Sequence, residues 1–399
     1  MAELSPGSQA RRYILGAGAA ALLAMSLAGC QLVPKPRPDL PPEDVPPEVE
    51  RPREEEPGPQ LPPDETRNRV AVLVPTSGSN AGVGQSIANA ANLALLDAGG
   101  ERIRITVYDT ARAGAAEAAN RALAEGNGLF LGPLLAEDVR AVAPVARRAR
   151  VPVIAFSNDS SVAGDGVYLM GFTPGQSIAR VVAHARGAGL DRFGVLAPAG
   201  VYGRRASDAM VAAVEDSGGR LLAMQTFEGL ASIRPAVARL YAQGDYDAVL
   251  IGDGGRGAAT AAPLLKSGPN ARVRLLGTEL WASETTLGRT PALRGAWYAS
   301  VGDSMFNQLR TRYRARYGAN PYRLASLGYD AVLLTVRIAK NWRLGRAFPE
   351  RELRDPVGFA GVDGAFRFAP SGIAERSLEV REVTATGTIV VSPAPRSFD

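Results

Sequence analysis

The hydrophobic positions from residue 69 onward follow two patterns that alternate along the chain. Short continuous apolar runs, of which residues 69–74 are the first, predict buried strands of a parallel sheet. Residues 85–97 instead place apolar side chains, among them Ile87, Ala91 and Leu95, on one face at helical spacing, which predicts an amphipathic helix. Strands that alternate with helices predict an α/β fold, in which helices cover both faces of each sheet.

The alternation runs through two successive units. In the first unit, the pattern predicts strands at residues 69–74, 103–108, 128–131 and 151–156 and helices at 85–97, 115–125 and 138–148. In the second unit, which begins at a predicted hinge near residues 171–175, it predicts helices at 176–187, 206–217, 235–242 and 258–265 and strands at 192–196, 220–226, 247–251 and 273–276. Beyond residue 303 it predicts further helices, notably at 325–337, and antiparallel strands at 361–368 and 378–383.

The length of this part of the chain is sufficient for two lobes, because about 330 residues can enclose two separate cores. We therefore predict two doubly wound, mostly parallel lobes that are joined by several crossings. The predicted first lobe contains residues 67–172 and about 303–355, and the predicted second lobe contains residues 173–302 and about 356–395.

Residues 1–29 have the composition of an export signal. A basic pair, Arg11 and Arg12, precedes an apolar stretch of about 16 residues, which is shorter than the roughly 20 residues of a membrane-spanning helix. The pair fits either a twin-arginine signal or the general basic start of a signal peptide. The stretch ends in LAGC at residues 27–30, and Cys30 is the only cysteine of the chain.

The LAGC segment resembles the lipobox of bacterial lipoproteins. The resemblance implies that Cys30 is lipidated, becomes the first residue of the mature protein and ties it to a membrane. An ordinary buried thiol is the alternative, but no foldable pattern surrounds Cys30. By the sorting rule of enteric lipoproteins, Gln31 implies the periplasm-facing outer membrane, with the inner membrane as the alternative.

Residues 30–66 form a predicted tether. Residues 31–66 include 12 prolines and few large apolar side chains, so they bury too little surface to offset the entropy of ordering. Extended at about 3.1 Å per residue, they reach on the order of 100 Å. Their net charge is −6, and that of the chain beyond them is +10. This basic remainder fits either an acidic protein or envelope polymer as partner or only the arginine bias of a GC-rich genome.

Five short motifs occur in an order that resembles the type I periplasmic-binding-protein fold, a Leu/Ile/Val-binding-protein-like superfamily. They are VPTSG at residues 74–78, GP at 132–133, PVIAFSN at 152–158, YG at 202–203 and GVDGAFRF at 361–368. The LAGC segment, residues 73–78 and LGPLL at residues 131–135 resemble more narrowly the lipoprotein activators of penicillin-binding proteins. The narrower resemblance implies a non-enzymatic envelope lipoprotein that docks on a penicillin-binding protein and regulates peptidoglycan synthesis.

Ligands of open α/β sheets bind beyond the carboxyl ends of the strands. The loops expected there supply nine candidate residues for a ligand cleft: Thr76, Ser77, Gly78, Ser157, Asn158, Tyr202, Asp253, Glu279 and Trp281. Ser77, Ser157 and Asn158 are candidate donors to a ligand carboxylate, and Asp253 or Glu279 is the candidate partner of an ammonium group. Ordinary turn chemistry explains the same residue types equally well.

Leu134 and Leu135 occupy the loop in which amino-acid binders of this fold usually carry hydroxyl residues. Their side chains offer no hydrogen-bond donor, which favours protein interaction over nutrient binding. The alternative function is a solute-binding lipoprotein of an ABC uptake system for branched-chain or related amino acids, with an amino-acid-like or muropeptide ligand.

Catalytic chemistry has little support in the sequence. His184 is the only histidine and lies in a predicted helix, no cluster of metal ligands occurs, and GDGGRG at residues 252–257 lacks the Lys-Ser/Thr ending of a phosphate loop. We therefore expect no enzyme activity, no cofactor and no nucleic-acid partner.

Overall fold

This computed structural model describes residues 66–395 and residue 398. The helices of the described residues are α1 (Ala81–Asp97), α2 (Ala115–Ala124), α3 (Ala136–Ala149), α4 (Pro174–Gly187), α5 (Val201–Asp216), α6 (Ile233–Tyr241), α7 (Gly255–Leu265), α8 (Ser304–Tyr317) and α9 (Ala325–Ala339). None of these helices is both long and apolar enough to cross a membrane. The predicted signal peptide, Cys30 and all of the tether except Thr66 lie outside the described residues.

The described strands form three sheets. Their bounds are β1 (Asn68–Val74), β2 (Ile103–Asp109), β3 (Phe130–Leu131), β4 (Val153–Ala155), β5 (Val167–Leu169), β6 (Arg192–Pro198), β7 (Arg220–Phe227), β8 (Ala248–Ile251), β9 (Arg274–Leu276), β10 (Trp297–Ser300), β11 (Phe359–Gly361), β12 (Gly364–Phe368), β13 (Ala374–Arg376), β14 (Glu379–Val383) and β15 (Thr388–Ser392). Most lie within a few residues of a predicted strand; β5, β10, β13 and β15 were not predicted.

The first sheet has the strand order β2-β1-β3-β4-β5, and its neighbouring strands are all parallel. Side chains of β1 point alternately to its two faces. Val70, Val72 and Val74 belong to a core with α1 and α9, whereas Ala71 and Leu73 belong to a core with α2 and α3. Helices therefore cover both faces of the sheet, as the sequence pattern predicts.

The second sheet has the order β15-β14-β10-β9-β8-β6-β7. Its pairs are parallel except those of β14, which runs antiparallel to both β10 and β15. Val195 and Ala197 of β6 pack with α4 and α5, and Leu196 between them packs with α6 and α7. The prediction of an α/β fold with two doubly wound lobes is thus confirmed.

Three crossings connect the lobes within the described residues. They lie after β5, after β10 and after β13, where the chain leaves the core of one lobe and enters that of the other. Gly171 is required in the first crossing, because a Cβ atom there would lie 2.0 Å from the backbone oxygen of Ser157. The predicted hinge near residues 171–175 coincides with this crossing.

The third sheet corrects one predicted lobe boundary. Strands β11, β12 and β13 form an antiparallel sheet, and Phe359, Phe366 and Phe368 pack into the core that contains Val72. The Phe368 ring contacts the ring of Tyr168 edge-on, with a centroid distance of 5.2 Å. Residues 356–376 therefore belong to the first lobe, rather than to the second as predicted, because their aromatic side chains complete its core.

Candidate functional site

A cavity of about 390 Å³ lies between the lobes. Its walls come from loops that follow β3, β4 and β9, from the starts of α1, α4 and α9, and from all three crossings. About half of its lining residues are apolar, among them Phe156, Phe172, Leu280 and Leu378, and they supply most of the surface that faces the cavity. A concave, mainly apolar surface with several polar groups is the usual form of a small-molecule site.

Two of the nine predicted cleft residues line this cavity, Asn158 and Glu279. The other seven do not line it. The loop of Thr76, Ser77 and Gly78 lies at the surface, where the Thr76 amide donates to Asp109 Oδ1 at 3.0 Å. This hydrogen bond stabilises the turn after β1, so ordinary turn chemistry explains these residues.

Ser157 and Tyr202 support the cavity wall from behind. Ser157 Oγ accepts from the Asp159 amide at 3.1 Å and is buried. The Tyr202 hydroxyl donates to Glu279 Oε1 at 2.9 Å and lies 2.8 Å from Thr278 Oγ1. Tyr202 thus positions Glu279 and does not itself line the cavity.

Asp253 and Trp281 also make hydrogen bonds within the fold and do not line the cavity. Asp253 Oδ1 accepts from the Gly254 amide at 2.8 Å at the start of α7, outside the cavity. The fully buried Trp281 indole donates to the Asp253 backbone oxygen at 2.9 Å and packs in the core of the second lobe. Glu279 is therefore the one of the two predicted acidic partners that can meet a ligand in the cavity.

Glu279 is an acid held in an apolar wall. Burial raises its pKa to about 7, and the hydrogen bond from Tyr202 opposes the rise. Glu279 Oε2 is buried and has no hydrogen-bond partner among the described residues. An acceptor in this state can bind a ligand ammonium or hydroxyl group, which would satisfy it.

Leu134 and Leu135 line the cavity. Both side chains are half-buried, and Leu134 packs against the core of the first lobe. Their lack of donors, which the sequence analysis took as an argument against solute binding, makes them part of the apolar wall. They fit a solute with an apolar body.

Arg323 and Arg376 are cavity residues that the sequence analysis missed. Arg323 precedes α9, and its Nη1 lies 2.7 Å from Asp363 Oδ1. Arg376 ends β13, where its Nη2 donates to the Met170 backbone oxygen at 2.7 Å. Because β13 was not predicted, no signal in the sequence showed that Ala374 and Arg376 lie two positions apart on the inward face of a strand, where an arginine is unusual.

Gln176 fixes the strand that carries Arg376. Its Nε2 donates to the Ala374 backbone oxygen at 2.5 Å, and its Oε1 accepts from the Arg376 amide at 2.9 Å. Gln176 lies on α4 of the second lobe, and β13 belongs to the first. The two hydrogen bonds therefore join the lobes beside the cavity.

Asp159 forms a second polar connection between the lobes. Its Oδ2 lies 2.6 Å from Arg140 Nη2 of the first lobe and 2.5 Å from Arg205 Nη2 of the second. Burial alone would raise the pKa of Asp159, but hydrogen bonds from Ser161 and both arginines outweigh it and lower the pKa to about 2. The carboxylate is thus ionised and pairs with both lobes at neutral pH.

The described residues contain no group of three or more His, Cys, Asp or Glu side chains that could hold a metal ion. His184, in α4, packs edge-on against Trp297 at a centroid distance of 4.6 Å. Burial lowers its pKa, and Arg180 and Arg274 act in the same direction. Its surroundings are those of a packing residue.

A family model described as a periplasmic binding protein matches residues 68–388. A solved structure of a putative branched-chain amino acid ABC transporter from Rhodospirillum rubrum has a TM-score of 0.70 and 18% identity, and the alignment covers 82% of this chain and 100% of that one. For the leucine binding protein LivK from Thermotoga maritima, the TM-score is 0.61, the identity 20% and the coverage 82% and 99%. At these identities the two structures show a common fold.

One curated protein, an uncharacterized protein of Rickettsia prowazekii, is 26% identical over 142 residues. The match covers 35% of this chain and 38% of that protein. The chain therefore spans little more than a third of the length of this relative.

Proposed function

We propose that this chain, which belongs to the periplasmic binding protein family, is the solute-binding component of an ABC uptake system for branched-chain or related amino acids. The observation that carries the proposal is the cavity of about 390 Å³ between the lobes, with mainly apolar walls and Glu279 among them. Family membership indicates a periplasmic protein. Lipid attachment at Cys30 is part of the proposal.

The physical basis is a cavity that two lobes enclose. A solute bound there contacts both lobes, so it stabilises the arrangement in which they meet. Leu134 and Leu135 of the first lobe and Leu280 of the second provide apolar contacts from opposite sides. Because the cavity offers burial and a few polar partners, we propose that the protein acts by binding alone and catalyses no reaction.

A thermal-shift measurement with purified protein tests the proposal. Leucine, isoleucine and valine are compared with glycine, which lacks the apolar side chain, and with amides and muropeptides. A solute at 100 times its dissociation constant should stabilise the protein by about 2.7 kcal/mol. A flat response across all of these compounds would contradict the proposal.

A matched pair of variants locates the binding. Leu135→Gln places a polar amide in the cavity wall and should weaken binding of the apolar solute roughly tenfold or more, which corresponds to about 1.4 kcal/mol. Leu96→Gln makes the same change at an exposed position of α1 outside the cavity. It should leave the affinity unchanged. Equal effects of both substitutions would argue against this cavity as the site.

The second candidate function is a tethered regulator that docks on a penicillin-binding protein. It is supported by the proline-rich residues 31–66, which could carry the basic lobes away from a membrane, and by the +10 charge that follows them. Pull-down with a bifunctional penicillin-binding protein, followed by its glycan-synthesis and crosslinking rates, tests this function. Binding together with a faster rate would support it, and the absence of binding would exclude that partner.

A further inference from the structure

Two cavity arginines carry donors that are not used. In Arg376, which is 8% exposed, Nε and Nη1 have no hydrogen-bond partner among the described residues. In Arg323, Nε and Nη2 are likewise buried and unpaired within the described part of the chain. A buried charged group that lacks partners is destabilising, so four such donors on two arginines that line one cavity need an explanation.

Aromatic rings hold both guanidinium groups in place. The Arg376 guanidinium carbon lies 4.8 Å from the centroid of Phe172 and 5.2 Å from that of Phe366. The corresponding distance from Arg323 to Phe306 is 4.2 Å. A ring contacts the face of a guanidinium, so the N–H groups at its edge remain the part of the side chain that can hydrogen-bond.

The neighbouring carboxylates do not satisfy these donors. Asp363 Oδ1 lies 2.7 Å from Arg323 Nη1, but neither oxygen of Asp363 accepts a well-directed hydrogen bond within the described residues. Asp330 already accepts from the Val362 amide at 2.7 Å and from the Asp363 amide at 3.3 Å. Burial and the nearby Asp363 raise the pKa of Asp330, which reduces its negative charge near neutral pH. The cluster of Arg323, Arg376, Asp330 and Asp363 therefore retains positive charge beside the cavity.

We propose that Arg323 and Arg376 form an anion subsite that binds the carboxylate of the solute. The ligand is then a small carboxylic acid whose apolar body lies against the leucine and phenylalanine side chains of the same cavity. Arginine and carboxylate form paired, charge-assisted hydrogen bonds, which are stronger than those of neutral groups. This inference rests on the proposed function, because it assigns the chemistry of a solute bound in that cavity. In this assignment, Arg323 and Arg376 replace Ser77 and Ser157 as the donors to the ligand carboxylate.

Pairs of an acid and its amide test the subsite in the full chain. The probes are 4-methylpentanoate with 4-methylpentanamide, leucine with leucinamide, and acetate with acetamide, measured by isothermal titration or thermal shift at fixed ionic strength. Each amide has nearly the shape of its acid but lacks the negative charge of the carboxylate, and leucinamide keeps the ammonium group of leucine. We expect the dissociation constant of the apolar acid to be at least tenfold lower than that of its amide.

Variants assign this preference to the arginines. Arg376→Gln and, separately, Arg323→Gln should bring the ratio of amide to acid dissociation constants close to one. The matched control is Arg381→Gln, which removes a buried arginine paired with Asp303 and Glu379 away from the cavity. It should keep the wild-type ratio. If a cavity variant fails to fold, the acid and amide pairs on the wild-type protein still decide whether an anion subsite exists.

The outcomes separate the subsite from the proposed function. Equal binding of acid and amide would overturn the subsite and leave solute binding intact. Stabilisation by acetate without tighter binding of any apolar acid would support an anion subsite and contradict uptake of an apolar solute. No response to any probe would overturn both. An unchanged ratio in both folded cavity variants, with a wild-type preference for acid, would assign the carboxylate to other residues.

Discussion

At the scale of single residues, Glu279 is the cavity group whose charge changes near neutral pH. Burial raises its pKa to about 7, well above that of an exposed glutamate in the unfolded chain. Between about pH 4.5 and pH 7, the folded protein therefore holds a proton here that the unfolded chain has released. Stability from this residue is present at low pH and is lost as the pH rises through that window.

Glu279→Gln should remove this pH dependence, because glutamine has nearly the same shape and does not titrate. The difference in the free energy of unfolding between wild type and variant should fall with rising pH by up to about 1.4 kcal/mol per pH unit. Urea unfolding at pH 5, 6, 7 and 8 measures it. Asp330, whose pKa is also raised, titrates in both proteins and cancels in the difference. If the difference in unfolding free energy between wild type and variant stays constant from pH 5 to pH 8, the pKa of Glu279 is not raised.

Residue types in predicted loops identified only part of the cavity. Asn158 and Glu279 were found because they follow strands, where ligands of α/β sheets bind. Arg323 and Arg376 were missed because they come from a helix start and a hairpin far along the chain. Their position at the cavity depends on the packing of the hairpin against the first lobe, which neither segment encodes alone.

At the scale of elements, the corner between the first strand and the next helix is built alike in both lobes. Gly84 of α1 lies over the backbone of Pro75, and Gly203 of α5 lies over that of Pro198. A Cβ atom would lie 1.9 Å and 1.8 Å, respectively, from the proline oxygen. Glycine therefore lets each helix start pack directly on the end of its strand. The Tyr202-Gly203 motif has this packing reason in addition to the contact of Tyr202 with Glu279.

Gly84→Ala and Gly203→Ala should each destabilise the fold by roughly 1–3 kcal/mol, because the backbone must shift to admit the methyl group. The matched control is Gly187→Ala at the end of α4, where a Cβ atom would meet nothing within 4 Å. That substitution should be neutral or stabilising by about 0.5–1 kcal/mol, since alanine favours a helix. Urea midpoints compare the three. Equal midpoints for Gly84→Ala, Gly203→Ala and Gly187→Ala would refute the packing argument.

Patterns of single elements were sufficient to predict most strands of the two mainly parallel sheets, because a buried strand between two helix layers must be apolar on both faces. Residues of β1 show this directly, since Val72 and Leu73 face opposite cores. The alternation in residues 361–368 correctly indicated antiparallel strands. It could not show which lobe they join, because the partner of Phe366 is determined by the fold as a whole.

At the scale of the whole two-lobed unit, polar contacts beside the cavity join the lobes in addition to the crossings. Gln176 and, separately, the pair of Asp159 with Arg205 connect opposite lobes. Asp159 is 2% exposed, and Arg205 is 26% exposed. A partly buried pair of this kind is worth more than a surface pair but remains small enough for the lobes to separate. Opening of the lobes would break this ion pair.

Arg205→Gln should shift the lobes toward an open arrangement, by a free energy on the order of 1 kcal/mol. Arg140→Gln is the matched control, because Arg140 binds the same Asp159 oxygen but lies in the same lobe. Small-angle scattering should show a larger radius of gyration for Arg205→Gln, and the apparent affinity for solute should fall, because a smaller fraction of the protein is closed. Arg140→Gln should retain the wild-type radius and affinity. An identical radius for Arg205→Gln and wild type, with and without solute, would mean that this ion pair does not hold the lobes together.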